Sequence, residues 1–202
     1  MKSYPTIPAK IQPNLPIYAF DKIDGSNIRA EWVYKKGFVK FGSRTRLLGE
    51  DQPIIYKAKD LILEQLDIVS DICKSNRWAK ATLFYEFYGP NSFAGHHCES
   101  DEHKVILIDV CVHKKGFLSP REFINTFQNL PSAQLLYHGN CTVNFIQSVS
   151  NGNLDGITSE GVVCKFKGKG NSIGRFKIKT YAWYDRLREF CNGDAQKFDL
   201  LK

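Results

Sequence analysis

The stretch that most limits what this chain can become is Phe20-Asp21-Lys22-Ile23-Asp24-Gly25-Ser26-Asn27. An apolar run from Ile17 to Phe20 leads into a lysine, Gly25 permits an abrupt turn, and alternating side chains resume from Ile28 to Val33. The pattern predicts two strands joined by a tight loop that presents Lys22. A lysine held at such a turn is a nucleophile wherever its surroundings acidify it, and a plain surface lysine otherwise. The ordinary lysine pKa is about 10.4, so acidifying it to near neutrality costs about 4 kcal/mol. The groups that do so must come from elsewhere in the chain.

Beyond that stretch, Lys35-Lys36-Gly37 reads as a hairpin turn between strands at 28–34 and 38–41, followed by the basic loop Gly42-Ser43-Arg44-Thr45-Arg46. From Gln52 to Ser75, Ile55, Ala58, Ile62, Leu66, Val69 and Cys73 recur at spacings of three and four, which predicts a helix. Residues 80–88 and 104–113 are apolar and rich in β-branched or aromatic side chains, as buried strands are. Ser119-Pro120-Arg121-Glu122 has the form of a capping box with proline at the first helical position. A further helix is expected at 142–149, strands at 160–166 and 174–179, and a C-terminal helix over 181–202. Residues 1–16 hold four prolines and are expected to lie extended over the surface. Strands and helices interleave without βαβ spacing, so the expectation is an α+β fold: mainly antiparallel sheets, flanking helices, one domain over 1–202.

At 202 residues and 43% apolar composition the chain buries a full core. Its net charge of +7 points to a polyanionic partner, nucleic acid above all. The six cysteines form no C-x-x-C pair and the N-terminus has no signal-like apolar core, so the expectation is reduced thiols in a cytoplasmic protein, and a monomer is expected. The sequon Asn140-Cys141-Thr142 is then a chance match, and no apolar run is long enough to cross a bilayer. His96-His97-Cys98 with His103 and Cys111 invites a zinc reading, but adjacent histidines on an extended segment point opposite ways and no second cysteine pair completes the set.

Three further motifs carry candidate chemistry. Lys177 and Lys179 are two apart on a predicted strand and share a face, where two ammonium groups would repel a third cation and hold phosphate oxygens. Glu160-Gly161-Val162-Val163-Cys164-Lys165 puts a carboxylate at the mouth of a buried strand, suited to a metal ion. Tyr85-Glu86-Phe87-Tyr88-Gly89-Pro90 ends another strand on an acid able to accept from a ribose hydroxyl. Singly, each has a bland reading as a solvated strand edge.

Their order changes the weight. K-x-D-G, S-R, Y-E-F-Y-G, I-D, E-G-V-V-x-K and K-x-K in succession resemble the covalent nucleotidyltransferase superfamily, and within it the nick-sealing branch of ATP-dependent RNA ligases, from about Ile17 to Thr180. The resemblance implies that Lys22 attacks the α-phosphorus of ATP and forms a lysyl-adenylate. It implies Asp21 beside the adenine, Arg44 and Glu86 on the ribose, Asn27 and Asp24 in the nucleotide site, and Glu160 on Mg²⁺ (or Mn²⁺). Lys177 and Lys179 then contact the α-phosphate, and Lys165 a more distal phosphate or the substrate. The AMP passes to a 5′-phosphate on RNA, and a 3′-hydroxyl displaces it.

Two departures qualify the resemblance. Where the family places an aromatic ring against adenine, Leu107-Ile108-Asp109 offers Ile108. The residues after Lys179 are too few for the OB barrel of DNA ligases and capping enzymes, so nucleic acid is expected on the domain's own basic face, with Lys35, Lys36, Lys40, Arg46, Lys167 and Lys169 as candidates. A minimal DNA ligase, a GMP-transferring capping enzyme and a non-catalytic nucleic-acid-binding module are the alternatives.

Overall fold

The computed structural model describes residues 1–51, 53–90, 100–170 and 172–202. The elements run β1 (Pro16–Lys22), β2 (Ser26–Val33), β3 (Gly37–Ser43), α1 (Pro53–Leu63), α2 (Leu66–Ser75), β4 (Lys80–Tyr88), β5 (Lys104–Val112), β6 (Gly116–Phe117), α3 (Pro120–Phe127), β7 (Leu135–Asn140), α4 (Val143–Ser150), β8 (Gly161–Lys167), β9 (Ile173–Lys179), α5 (Tyr181–Cys191) and α6 (Ala195–Leu201). They build the expected α+β fold from two antiparallel sheets, ordered β7-β1-β8-β9 and β3-β2-β4-β5-β6. The chain passes from the first sheet to the second through the loop after Lys22.

Gly25 in that loop is needed for a different reason from the one its type suggests. Its φ is not positive; a Cβ there would strike the backbone carbonyl oxygen of Phe87 on β4. The glycine lets the two backbones close together, and so brings the end of β4 beside Lys22.

Period-two alternation sorts each sheet into faces. Ile28, Ala30 and Trp32 of β2, with Ala81, Leu83, Tyr85 and Phe87 of β4, join Ile62, Val69 and Phe123 in the larger core. Ile17, Ala19, Val162, Cys164, Phe176 and Ile178 form a second core under α4 with Phe145 and Val149. On β5 the register slips: Tyr85 pairs with Leu107 and Phe84 with Asp109, so Ile108 is the extra residue of a bulge. The bulge keeps both Leu107 and Val110 in the core despite their odd spacing.

Local signals are met where the chemistry is local. Ser119 and Glu122 close the capping box reciprocally at 3.2 and 2.9 Å. Lys35 and Gly37 take the positive φ values of a tight hairpin. Elsewhere the outcome differs. The helix expected over 52–75 is interrupted at Glu64 and Gln65, where Gln65 N donates to Ile62 O and tightens the turn. The helix expected over 181–202 is two helices, because Asn192 closes α5 in the left-handed conformation at φ 46° and Asp194 caps a new one. β7, on which no expectation was placed, pairs with the free edge of β1.

The N-terminal segment lies over the surface as expected, with none of residues 1–16 buried, but it is anchored there. The Met1 amine is 3.7 Å from Glu31, Tyr4 packs on Phe84 with ring centroids 4.9 Å apart, and Pro8 O accepts from the amide of Lys177. It therefore runs along the polar face of the second sheet and ends on the edge strand of the first. Among the described residues, Cys73, Cys111, Cys141, Cys164 and Cys191 are free and buried, and no helix is long and apolar enough to cross a membrane. His96, His97 and Cys98 lie outside the described residues.

Candidate active site

The first sheet arranges its cations in rows. Lys22 on β1 is opposite Gly161 on β8, which is opposite Lys179 on β9. One step along are Phe20, Val163 and Lys177, and one further Tyr18, Lys165 and Arg175. Because Phe176 and Ile178 are committed to the second core, Arg175, Lys177 and Lys179 all project from the other face. Gly161 leaves the first row open between its two lysines. Its φ is +140° and a Cβ would collide with the carbonyl oxygen of Ile178, so no other residue fits there unstrained.

Glu160 precedes that glycine and fills the gap. Lys22 Nζ donates to its Oε2 at 2.6 Å, and Lys179 Nζ lies 2.9 Å from its Oε1. The carboxylate is nearly sealed, at 3% side-chain exposure, whereas Lys22 keeps 21% and remains reachable. Thr180 anchors the segment: its amide donates to Glu160 O at 3.0 Å and its hydroxyl to Ser159 O at 2.8 Å. Strand register thus places the lysines, and the β9–α5 junction places the acid.

The second sheet supplies the facing groups. Asn27 is cross-strand to Glu86, and Glu86 and Asp24 both act electrostatically on Lys22. Burial pushes the Glu86 carboxyl up to about 7, opposed by the Lys22 charge and reinforced by Glu160 and Asp24. Asn27 Nδ2 donates to Tyr85 O at 3.4 Å, while its buried Oδ1 has no hydrogen-bond partner among the described residues. Arg44 is exposed in the loop after β3, donates to Thr6 Oγ1 at 3.4 Å, and acts electrostatically on Lys177. Asp21 accepts from the amide and hydroxyl of Thr158 at 3.0 and 3.2 Å, which fixes the strand end that carries Lys22.

The acidity pattern departs from expectation. Burial draws the Lys22 ammonium toward lower pKa, but attraction to Glu160, Glu86 and Asp24 outweighs it and the net direction is up. It is Lys179 that is acidified, to about 8: burial leads, and repulsion from Lys22 and Lys177 adds to it against the pull of Glu160. Lys177 is also lowered, by burial first and then by Lys22 and Arg44. Two cationic neighbours do not acidify a lysine that shares its carboxylate with one of them.

A nucleotide-borne divalent ion asks the protein for only one or two carboxylates, since substrate phosphates and water complete its shell. Glu160, paired with Lys22 and Lys179, is a carboxylate of the kind such an ion takes, and Oδ1 of Asn27 is a buried polar atom with no hydrogen-bond partner among the described residues.

The model of the RNA ligase family matches residues 15–179, a span that contains Lys22, Glu86, Glu160, Lys177 and Lys179. The chain belongs to the RNA ligase family. None of the curated proteins matches it. Among solved structures it is similar to an archaeal ATP-dependent RNA ligase (TM-score 0.69, 13% identity, 99% of this chain and 56% of that one). It is also similar to a putative ATP-dependent DNA ligase from Aquifex aeolicus (0.62, 18%, 99% and 57%). A third is a Naegleria gruberi RNA ligase variant with ATP and Mn (0.56, 17%, 86% and 52%). At these identities the likeness shows the fold, and the chain spans a little over half the length of each.

Within this RNA ligase family fold, Lys165 does not sit where its expected role would put it. Its ammonium is turned inward, 3.2 Å from Asp109 Oδ2 and 2.8 Å from the carbonyl oxygen of Ile108, above the rings of Phe20 and Phe123. A side chain this buried, held by an acid and a carbonyl, steadies the bulge that carries Ile108. Ile108 itself is half-buried against the larger core. Asp109 also accepts from Arg175 Nη2 at 2.7 Å and from the Tyr4 hydroxyl at 3.1 Å. Arg175 was legible as the third member of the 175-177-179 alternation; Tyr4 carried no signal at all. Lys35, Lys36, Lys40, Arg46, Lys167 and Lys169 are all exposed.

Proposed function

We propose that this RNA ligase family member is an ATP-dependent polynucleotide ligase that joins a 3′-hydroxyl to a 5′-phosphate on RNA through an adenylate carried on Lys22. The observation that carries the proposal is the convergence of Lys22, Glu160 and Lys179 in one cluster, with Lys177 on the same face. A pure nucleic-acid binder has no use for a sealed carboxylate between two lysines.

In the first step the neutral Lys22 amine attacks the α-phosphorus of ATP. A P–N bond forms, the bond to the β-phosphate oxygen breaks, pyrophosphate leaves with the electron pair, and the amine proton passes to solvent. Lys177 and Lys179 draw charge from the α-phosphate oxygens as it develops. Asp21 and Ile108 flank the adenine, Arg44 and Glu86 hold the ribose, and Asp24 and Asn27 line the approach to the phosphates. Glu160 would hold a divalent ion, Mg²⁺ or Mn²⁺, which would supply positive charge to the phosphates and weaken the pull of the carboxylate on the Lys22 ammonium. An oxygen of the 5′-phosphate then attacks the same phosphorus, the P–N bond breaks, and Lys22 Nζ regains a proton. Finally the 3′-hydroxyl attacks the activated 5′-phosphorus, AMP leaves, and its proton is lost to solvent.

The test is incubation of the protein with Mg²⁺ and α-labelled ATP or GTP, followed by denaturation. Label from ATP that survives denaturation is the expected result. Label from GTP alone indicates a capping activity, and none indicates a binding module. A side-by-side sealing assay on nicks with RNA or DNA at the 3′-hydroxyl end then decides the substrate.

A further inference from the structure

The ammonium of Lys179 has a second neighbour that the motif reading does not use. Its Nζ lies 3.3 Å from the centroid of the Trp183 ring, on the first turn of α5. Lys179 is 7% exposed and Trp183 2%, so the contact is shielded from water. Cation–π attraction operates out to about 6 Å from the ring centroid and strengthens as the pair is desolvated. Trp183 is itself fixed: its amide donates to Thr180 Oγ1 at 3.1 Å, and its ring packs edge-on to Tyr184 with centroids 5.5 Å apart.

We infer that Trp183 is a positioning residue for the adenylyl-transfer site, holding the Lys179 ammonium in place when Glu160 is engaged elsewhere. The inference rests on the ligase reading proposed above. Each Glu160 oxygen is paired with one lysine, so a cation drawn to the carboxylate would compete with both ammonium groups for its charge and weaken their hold on it. Whatever draws the carboxylate away frees Lys179, whose long side chain would then lose its fixed direction. The indole face is a neighbour that makes no competing demand, since it presents no proton and no formal charge. It keeps the ammonium aimed across the open Gly161 position toward Lys22. Thr180 joins both halves of the arrangement, because the residue that caps α5 and sets Trp183 also binds the backbone of Ser159 and Glu160.

The alternative is that Trp183 only fills the small cluster it shares with Leu187 and Cys191. Trp183→Phe and Trp183→Leu separate the two, because both fill the space with apolar bulk and only the first keeps an aromatic face. With comparable melting temperatures for the two variants, single-turnover lysyl-AMP formation is expected to fall about tenfold in Trp183→Leu at saturating ATP, with KM for ATP little changed, and to stay within about threefold of wild type in Trp183→Phe. A second readout is independent of turnover: the side-chain methylene NMR signals of Lys179 are expected upfield-shifted by the ring current, in wild type and Trp183→Phe but not in Trp183→Leu. Equal rates in the two variants, or the absence of that shift in wild type, would overturn the role of Trp183 and leave the ligase reading standing. A wild-type protein that takes no label overturns the ligase reading and the role of Trp183 together.

Discussion

Lys22 Nζ and Glu160 Oε2 are 2.6 Å apart although 138 residues separate them in the chain. The contact makes the candidate nucleophile and the candidate metal ligand competitors for each other's charge, which ties release of the amine to occupation of the acid. If Lys22 carries the adenylate, Lys22→Ala abolishes denaturation-resistant labelling from ATP while the protein remains folded by circular dichroism. Persistent label in that variant would move the nucleophile elsewhere.

Lys179 stands across the same acid. Lys179→Ala is expected to slow lysyl-AMP formation by about 10²–10³, the range seen when one charge-stabilising donor is removed from a transition state. Single-turnover rates at saturating ATP are the measurement, and a wild-type rate would remove Lys179 from the chemistry.

Asp109 is fully buried and holds Lys165, Arg175 and the Tyr4 hydroxyl. Asp109→Ala leaves buried cations without their anion, which typically destabilises by about 3–5 kcal/mol. Urea unfolding should show a loss of that size. A change under about 1 kcal/mol would mean that Lys165 and Arg175 find water or another partner.

Glu86 gives a pH dependence with a defined sign. Its folded pKa of about 7 stands above the ordinary 4.5, so its contribution to stability is complete below about 4.5 and is lost as pH rises through 7. Glu86→Gln imitates the protonated acid. The variant should match wild type near pH 5 and exceed it by about 2 kcal/mol near pH 8, read from urea midpoints. A difference that does not vary with pH would contradict the assignment.

Gly161 is the smallest part of the site and among the least replaceable. Gly161→Ala forces a Cβ into the Ile178 carbonyl at φ +140°, at a cost of about 1–3 kcal/mol of strain or a displaced β8–β9 pairing. Labelling should fall with Lys22, Glu160 and Lys179 all intact in sequence, and an unimpaired variant would show that the row tolerates widening.

Much of this protein is written in short windows. The capping box at Ser119, the Lys35-Lys36-Gly37 turn and the common face of Lys177 and Lys179 each need only a few neighbouring residues. The ordered motifs from Lys22 to Lys179 pointed to the family whose model matches residues 15–179. What short windows do not hold is who meets whom. The pairing of Lys22 with Glu160 follows from β1 and β8 being neighbours in a β7-β1-β8-β9 sheet, an order set by how both cores close. Lys165 shows the limit most clearly: the family resemblance implies a distal phosphate or substrate contact for it, yet the bulge at Ile108 presents a carbonyl and Asp109 presents a carboxylate, and the ammonium turns inward to them. Trp183 meets Lys179 only because Thr180 starts a helix where the strand ends. Residue types and their spacing determined which chemistry was available; the long-range packing of two sheets decided which charges neutralise one another and which remain open to a ligand.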